Sequence, residues 1–219
     1  MTSDLDHHDP DRAEEGVATA LQERLAVPDV AGAVARATER AFAEGAVDVT
    51  YAEVDSPLGP LVAAATPKGL VRLAYEDFGG GLDPVLEHLA LRISPRIVER
   101  PAGFDPLRRE LDEYFEGRRR DFDLPIDWSL TTGFTTRVLQ ATAAIPFGKV
   151  SSYRDVAREA GNERATRAAG NALGSNPIPI VVPCHRVLRT GGGLGGYTGG
   201  LEKKERLLRI EGFLPPQLV

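Results

Sequence analysis

The segment that most limits how this chain can fold is residues 176–187, Asn-Pro-Ile-Pro-Ile-Val-Val-Pro-Cys-His-Arg-Val. Pro177 and Pro179 exclude an α-helix at its start, because proline has no backbone N–H and its ring clashes with the preceding turn. The apolar, β-branched residues that follow predict a short, buried, extended run. Such a run would bring Cys184 and His185 to the rim of a core.

Cys184 is the only cysteine among 219 residues. It cannot form an internal disulfide or a zinc site of the multi-cysteine kind, so any role must come from its own thiol. A thiol reacts as the thiolate and needs a base or a positive field to lose its proton near neutral pH. His185 is adjacent, but neighbours on an extended segment face opposite sides, so contact would need a bridging water or a turn. A purely structural Cys-His pair stays open at this point.

A helix-turn-helix is predicted shortly before this segment. Ser152 and Asp155 fit a capping box, and Gly161-Asn162 supplies a turn and a new N-cap. The second helix carries small residues on one face and Arg164, Arg167 and Asn171 on another. Two short helices of this kind are typical of DNA binding, although a packed helical hairpin has the same pattern.

A glycine-rich loop, residues 191–200, follows the cysteine segment. It lacks the Gly-Lys-Ser/Thr ending of a phosphate loop and does not fit a dinucleotide fingerprint. Its one aromatic residue, Tyr197, fits the wall of a pocket for a flat base. The last predicted helix, residues 201–211, places Glu211 on its apolar side at the C-terminal end, which is unfavourable without a partner. His185 is the candidate partner, and a solvated Glu211 is the alternative.

The part of the chain before residue 127 has a different pattern. Residues 1–46 form an acidic extension, partly helical or disordered, in which His7 and His8 belong to a polar tail rather than to a metal site. Residues 47–126 predict a small α+β domain, with residues 127–213 as a mostly helical domain and 214–219 as a tail. The expected elements of the α+β domain are strands at 49–54, 61–66, 70–75 and 96–100, with helices at 83–92 and 105–115.

The charge is divided unevenly between the two ends of the chain. The net charge is -6, but residues 129–219 hold 12 Lys/Arg and 6 Asp/Glu, which leaves a net of -12 for residues 1–128. A polyanion would be attracted to the C-terminal part and repelled by the N-terminal part. No stretch approaches the roughly 20 apolar residues of a membrane span, and the N-terminus has no signal-peptide pattern. We therefore expect a cytoplasmic protein without a membrane partner.

Taken together, these residues resemble the alkylguanine-DNA alkyltransferases, also called methylated-DNA-protein-cysteine methyltransferases. The resemblance covers about residues 47–213. It rests on Ser56-Pro57-Leu58-Gly59, Gly69-Leu70, Ile145-Pro146-Phe147-Gly148, Ser152-Tyr153, Arg167-Ala168, Asn176-Pro177, Pro183-Cys184-His185-Arg186-Val187, Gly196-Tyr197 and Glu211-Gly212. It implies an α+β fold, in which a small N-terminal domain with a three-stranded antiparallel sheet and helices precedes a mostly helical domain that carries a helix-turn-helix and the cysteine.

The resemblance also implies a reaction and a set of site residues. Cys184 would take an alkyl group irreversibly from the 6-oxygen of a flipped guanine, His185 would accept the thiol proton through a water, and Glu211 would orient the imidazole. Asn176 would brace the segment, and Tyr153 would donate a proton to the leaving base. The implied substrate pocket consists of Tyr197, Thr198 and Gly199 with the carbonyls of Cys184 and Val187.

The same resemblance implies a partner and the way it is bound. Double-stranded DNA carrying alkylated guanine would be held through the minor groove, with Arg167 filling the space left by the flipped base. The implied DNA contacts are Arg164, Ala165, Thr166, Arg167, Ala168, Gly170, Asn171 and Arg186. No cofactor is expected. The structural zinc of some family members is not expected either, because its cysteine ligands are missing from this sequence. We expect a monomer and leave cooperative binding on DNA open. The alternatives are a non-reacting damage sensor and a Cys-His hydrolase with Glu211 or Asn176 as third member.

Overall fold

The computed structural model describes residues 29–78 and 80–215. The predictions for His7, His8 and the rest of residues 1–28, and for residues 216–219, lie outside this part of the chain. Helix α1, Val30–Ala43, confirms the helical spacing expected in the extension, and none of its residues is buried. The described residues from Thr38 onward form one compact unit. No helix in the described ranges has both the length and the apolar character that crossing a membrane requires.

The N-terminal part is built on a four-stranded sheet. Strands β1 (Val49–Val54), β2 (Leu61–Thr66) and β3 (Gly69–Tyr75) form the predicted antiparallel meander. Strand β4, Ile97–Glu99, pairs with β1 in parallel, so the order is β3-β2-β1-β4. The strand expected at 96–100 therefore adds a parallel edge to the sheet, which was expected to be three-stranded and antiparallel. Helix α2, Leu82–Arg92, carries the chain from β3 across to the β1 edge, which makes the parallel pairing possible.

Apolar residues cover both faces of this sheet. Helix α2 packs Val85 and Leu89 against Val49, Val62 and Val71 on one face. On the other face, helix α3 (Asp105–Phe115) contributes Leu107, Leu111 and Tyr114 to a larger core. That core continues without a break into the C-terminal helices, through residues such as Val138, Ala169 and Leu207. The domain boundary near residue 126 stays a prediction, and the segments on its two sides share one core.

The C-terminal part is mostly helical, as expected. Its elements are α4 (Gly133–Ala143), β5 (Ser151–Ser152), α5 (Tyr153–Glu159), α6 (Thr166–Gly174), β6 (Val187–Leu188) and α7 (Leu201–Ile210). The hydroxyl of Ser152 caps α5 by accepting from the Asp155 backbone N–H at 3.1 Å. The same hydroxyl also donates to the Asp155 carboxylate at 2.6 Å. The carboxylate therefore accepts from the serine side chain, and not from a backbone N–H as in the predicted capping box. The two helices of the predicted helix-turn-helix, α5 and α6, are joined by one 3₁₀ turn, Glu163–Ala165.

Residues 176–188 are all buried, as predicted, but they do not form an extended run. Local hydrogen bonds fold the segment into turns: Val182 donates to the Ile178 carbonyl at 2.9 Å and Arg186 donates to the Pro183 carbonyl at 2.9 Å. Cys184–Arg186 is a 3₁₀ turn. The prolines explain the difference, because each removes a donor that a strand ladder would need. Only the end of the segment pairs as a strand, with β6 parallel to β5, which joins it to the start of the helix-turn-helix.

The stretch around Pro125, at the predicted boundary between the two domains, is fixed to the sheet. Leu70 donates to the Pro125 carbonyl at 2.8 Å, and Asp127 donates to the Leu70 carbonyl at 2.9 Å. Gly69 makes this approach possible, because a Cβ there would overlap the Pro125 carbonyl and because its φ of +133° is one that other residues rarely adopt. The chain therefore enters its C-terminal half at a defined position.

Gly69→Ala is expected to destabilise the protein by more than the roughly 1–2 kcal/mol that an unfavourable positive φ costs by itself. The added cost comes from displacing Pro125. The matched control is Gly117→Ala, because Gly117 also has a positive φ of +73° but nothing lies within 4 Å of the Cβ that would be added. Urea unfolding of both variants measures the difference, and equal losses would contradict the packing argument.

Candidate active site

Cys184 lies at the bottom of a cavity of about 610 Å³. Its thiol lines the cavity although the residue is only 5% exposed. One wall is the N-terminal half of α6, with Thr166, Arg167 and Gly170, and the opposite wall is the glycine-rich loop. The cavity has room for a planar base and opens beside the face of the helix-turn-helix that the sequence predicted to contact DNA.

Asn176 fixes the position of the thiol. Its Nδ2 donates to the Cys184 Sγ at 3.1 Å and to the Val182 carbonyl at 2.8 Å, while its Oδ1 accepts from the Ile178 N–H at 3.0 Å. The side chain is 3% exposed, and all these bonds remain within the cysteine segment. Asn176 therefore has the bracing position that was expected of it.

The electrostatic surroundings of Cys184 keep it protonated. Burial raises the pKa of the thiol to about 11, against the lowering effects of the Asn176 hydrogen bond and of the Lys204 ammonium. At neutral pH the thiol therefore holds its proton, and a reaction at sulfur requires a group that removes it.

Glu211 is the centre of a buried hydrogen-bond cluster. Its carboxylate accepts from the Tyr114 hydroxyl at 2.8 Å, from the Gly148 backbone N–H at 3.2 Å, from the Arg186 guanidinium at 2.9 Å, and lies 2.8 Å from His185 Nε2. Burial would raise the pKa of Glu211, but the bonds from His185 and Arg186 outweigh it and lower the pKa to about 2. Glu211 is therefore ionised at neutral pH, and it has the partner that its position on the helix requires.

The ionised Glu211 fixes the proton arrangement of His185. A carboxylate only accepts, so Nε2 carries the proton in this hydrogen bond. Burial lowers the pKa of His185 below its ordinary value, although the bond to Glu211 acts in the opposite direction. The ring is therefore neutral at physiological pH and its Nδ1 is free of a proton. Nδ1 is buried and has no hydrogen-bond partner in the described part of the protein, so it is the atom that can accept a proton.

Three predicted site residues have surroundings that differ from the prediction. Arg186 is wrong as a DNA contact, because it is 4% exposed and its guanidinium neutralises Glu211. Of the predicted substrate pocket, Tyr197 and Thr198 line the cavity, whereas Val187 and Gly199 are buried behind its wall. The Val187 carbonyl accepts from Lys204 Nζ at 2.7 Å.

Lys204 and Tyr114 are buried polar residues of the site that the sequence reasoning missed. Lys204 is fully buried and donates to the carbonyls of Val187, Leu194 and Gly196, so it holds the glycine-rich loop against the cysteine segment. Burial lowers the pKa of Lys204 to about 8. The sequence places Lys204 on the same apolar helix face as Glu211, and a lysine on such a face needs hydrogen-bond acceptors. This pattern could have identified Lys204 as a residue of the site.

Tyr75, at the end of β3, is a third residue that was missed. Its hydroxyl lies 2.9 Å from the hydroxyl of Tyr197, and the two rings meet edge to face at 6.2 Å. Gly199 permits this contact, because a Cβ there would overlap the Tyr75 ring. The N-terminal sheet therefore supports the cavity wall from behind, which no local sequence pattern could indicate.

The predicted DNA-facing helix presents an accessible surface. Arg164, Arg167, Ala168 and Asn171 are exposed, and Ala165 is half-buried. Tyr153 lines the cavity across from Arg167, and burial raises the pKa of its hydroxyl, so it keeps a proton to donate. Within the described ranges, no group of three or more His, Cys, Asp or Glu side chains is placed to hold a metal ion.

Both halves of the chain match models of one protein family. Residues 49–128 match the 6-O-methylguanine DNA methyltransferase, ribonuclease-like domain, and residues 133–213 match the DNA binding domain of the same family. A Methanosarcina acetivorans protein named methylated-DNA--protein-cysteine methyltransferase is 37% identical over 162 residues, which cover 74% of this chain and 97% of the relative. A Mycobacterium tuberculosis protein of the same name is 37% identical over 163 residues, or 74% of this chain and 92% of the relative.

Solved structures of the same family are also similar to this chain. The crystal structure of Mycobacterium tuberculosis O6-methylguanine methyltransferase superposes with a TM-score of 0.64 at 35% identity, covering 77% of this chain and 96% of that one. The structure of Mycobacterium tuberculosis OGT in complex with DNA superposes with a TM-score of 0.63 at 35% identity, covering 74% and 92%. The similarity therefore extends over nearly the whole of each known protein.

The Glu211 cluster predicts an acid-dependent stability difference. The pKa of this carboxyl is about 2 in the folded state against an ordinary value of 4.5. Ionised Glu211 therefore stabilises the fold fully above about pH 4.5, by about 3 kcal/mol, and the contribution is lost as the pH falls toward 2. Glu211→Gln should lose at least this much at pH 7, because Arg186 keeps a buried charge without its counterion.

Urea unfolding at pH 3 to 7 measures this difference, with Glu202→Gln as the control because Glu202 is exposed on the same helix. The gap between wild type and Glu211→Gln should shrink below pH 4.5, while the control follows the wild type. A gap independent of pH would show that the charge of Glu211 does not stabilise the fold.

Proposed function

This chain belongs to the 6-O-methylguanine DNA methyltransferase family, and we propose that it restores guanine by moving an alkyl group from the 6-oxygen of a flipped base to Cys184. The observation that carries the proposal is the buried thiol at the bottom of a cavity of about 610 Å³, held by Asn176 and close in sequence to the neutral His185. The enzyme is a methylated-DNA–protein-cysteine methyltransferase, and its partner is DNA.

The proposed reaction begins with removal of the thiol proton. The raised pKa of Cys184 means that this proton must leave as sulfur attacks, and Nδ1 of His185 is the acceptor, reached through a water. The proton on Nε2 stays in the bond to Glu211, whose negative charge stabilises the imidazolium that forms. Arg186 and Tyr114 keep that carboxylate ionised and in place. His185 and Glu211 therefore provide a base for the thiol proton, and Cys184 does not have to be a thiolate before the substrate binds.

The transfer step forms a bond between Sγ and the alkyl carbon and breaks the bond between that carbon and the guanine 6-oxygen. The electron pair of the broken bond goes to the base, and the Tyr153 hydroxyl donates a proton to the departing guanine. Tyr197 forms a flat wall, the backbone at Thr198 meets the 6-oxygen, and the carbonyl of Cys184 accepts from the exocyclic amine. The Val187 carbonyl, which accepts from Lys204 Nζ, has the same proposed role, since a carbonyl oxygen can accept two hydrogen bonds.

The target base must leave the duplex for a buried thiol to reach it, at a cost of a few kcal/mol. We place helix α6 in the minor groove, because Thr166, Ala168 and Gly170 keep its exposed side narrow. Arg167 extends from this helix at the mouth of the cavity, where its side chain can occupy the space left by the flipped base. Arg164, Ala165 and Asn171 would contact the strands on either side.

Each molecule is proposed to act once. The product is a thioether, which has no route back to the thiol within this site. All the groups in the proposed reaction come from a single chain, so the reacting unit is a monomer, and cooperative binding would arise only between copies on the same DNA.

Intact-mass measurement after incubation with a duplex containing one 6-O-methylguanine tests the reaction. We expect one methyl group per protein molecule, on Cys184, and no further gain with excess duplex. Cys184→Ser should bind the duplex and gain nothing. Unchanged mass of the wild type with tight binding would favour a damage sensor, and turnover of an ester or amide by Cys184 would favour a hydrolase.

The role of Arg167 is tested by comparing two substrates. Arg167→Ala should slow repair of the duplex by about tenfold or more and leave the reaction with free 6-O-benzylguanine unchanged, because only the duplex requires a flipped base. Arg164→Ala is the control, since it removes the same charge one turn earlier and should mainly weaken binding of any duplex. Equal losses of Arg167→Ala on both substrates would contradict the proposed role.

A further inference from the structure

A second cavity, of about 320 Å³, lies beside the first and is bordered by three basic side chains. Arg72 comes from β3, and His88 and Arg92 come from successive turns of α2. We infer that this cavity is an anion site that takes a phosphate group. Nothing in the alkyl transfer proposed above uses these residues.

The first support is the state of Arg72. Its Nε is buried and has no hydrogen-bond partner in the described part of the chain. Burial lowers the pKa of Arg72, so the protein surroundings work against its charge. A buried guanidinium nitrogen without an acceptor is costly, and buried polar atoms in native proteins normally have a partner. An oxyanion in the cavity would be that partner, because a guanidinium matches two oxygens of a phosphate.

The second support is the absence of a neutralising carboxylate. Within residues 29–78 and 80–215, no ion pair joins Arg72, His88 or Arg92 to an acidic side chain. Burial lowers the pKa of His88, and the charges of Arg72 and Arg92 lower it further. His88 is therefore neutral at pH 7, and the positive charge that borders the cavity comes from Arg72 and Arg92.

Two acidic residues lie in a cleft next to the second cavity, and both have hydrogen-bond partners of their own. Arg92 also borders a neighbouring cleft that contains Asp48 and Asp127. Asp48 is held by Arg96 at 2.6 Å, and Asp127 accepts from Thr66 and from the Ser129 N–H. The charge of Asp48 is therefore balanced by Arg96, and Asp127, whose donors are neutral, forms no ion pair with Arg92 among the described residues.

The position of the cavity points to the source of the phosphate. Gly174 and Thr198 line both cavities, and the Thr198 hydroxyl donates to the Gly174 carbonyl at 3.2 Å, so a single contact separates them. A strand whose base enters the first cavity would run past this contact with its phosphates. The group bound is therefore a phosphodiester of that strand or a free phosphate ion. Binding of a DNA phosphodiester rests on the proposed function, whereas binding of a free phosphate ion does not.

Titration with inorganic phosphate tests the site without DNA. The full chain is titrated at constant ionic strength against chloride while the imidazole resonances of His88 are followed by NMR, with His88→Gln for assignment. We expect a saturable shift in the wild type that is lost in Arg72→Gln and in Arg92→Gln. Arg92 is exposed, so its variant keeps the fold even if Arg72→Gln does not. Arg109→Gln, an exposed arginine of α3, should behave as the wild type.

Binding of an undamaged duplex at several salt concentrations identifies the source. Each lost phosphate contact should reduce the slope of log K against log salt by about 0.9. A reduced slope in Arg92→Gln but not in Arg109→Gln would assign a DNA phosphodiester to the site, whereas a saturable His88 shift with unchanged slopes would assign a free phosphate ion. No His88 shift together with unchanged slopes would overturn the inference. Methyl transfer measured on the same samples is read separately, so a failed repair reaction does not count against the site.

Discussion

The buried carboxylate of Glu211 is the interaction on which the rest of the site depends. It is the point where α3, the Phe147-Gly148 turn, the cysteine segment and the end of α7 meet, through Tyr114, Gly148, His185 and Arg186. A carboxylate in this position would be unfavourable without partners, and here it has charged or polar donors from four elements, at 2.8 to 3.2 Å. One residue therefore stabilises the packing of several elements and also sets the tautomer of the histidine.

The chemistry of Cys184 follows from this arrangement. Many reactive cysteines have a lowered pKa and a stored thiolate, whereas burial raises the pKa of this thiol from 9.0 to about 11, a cost of about 3 kcal/mol for ionisation. A neutral thiol is unreactive toward most electrophiles in solution. A neutral base nearby can remove the proton only when a substrate occupies the cavity and aligns the reacting atoms. This combination favours selectivity over speed, which is consistent with the single use of the thiol proposed above.

The sequence was informative where a local pattern has one physical cause. The apolar residues of 176–187 correctly predicted a buried segment and its prolines correctly excluded an α-helix, although the predicted extended conformation was wrong. The unfavourable position of Glu211 predicted a partner that proved to be His185. It was misleading for Arg186, since an arginine beside a reactive cysteine has the same pattern whether it faces DNA or a buried carboxylate. Tyr75 could not be found at all. Its contact with Tyr197 joins residues 122 positions apart and depends on how the sheet packs behind the glycine-rich loop.

The two parts of the chain differ in how their arginines are paired with carboxylates, which composition alone does not show. In the N-terminal part, arginines are mostly bound to carboxylates, as in Arg96 with Asp48, Arg100 with Glu39 and Arg119 with Glu113. Across the described residues, three exposed arginines form no ion pair: Arg164 in the 3₁₀ turn before α6, Arg167 on α6 and Arg189 beside the cavity. Paired charges cancel within a few ångströms, whereas unpaired charges act over a Debye length of about 8–10 Å. A polyanion approaching the protein would therefore meet the positive field of the helix-turn-helix and the cavity mouth, even though the chain as a whole is acidic.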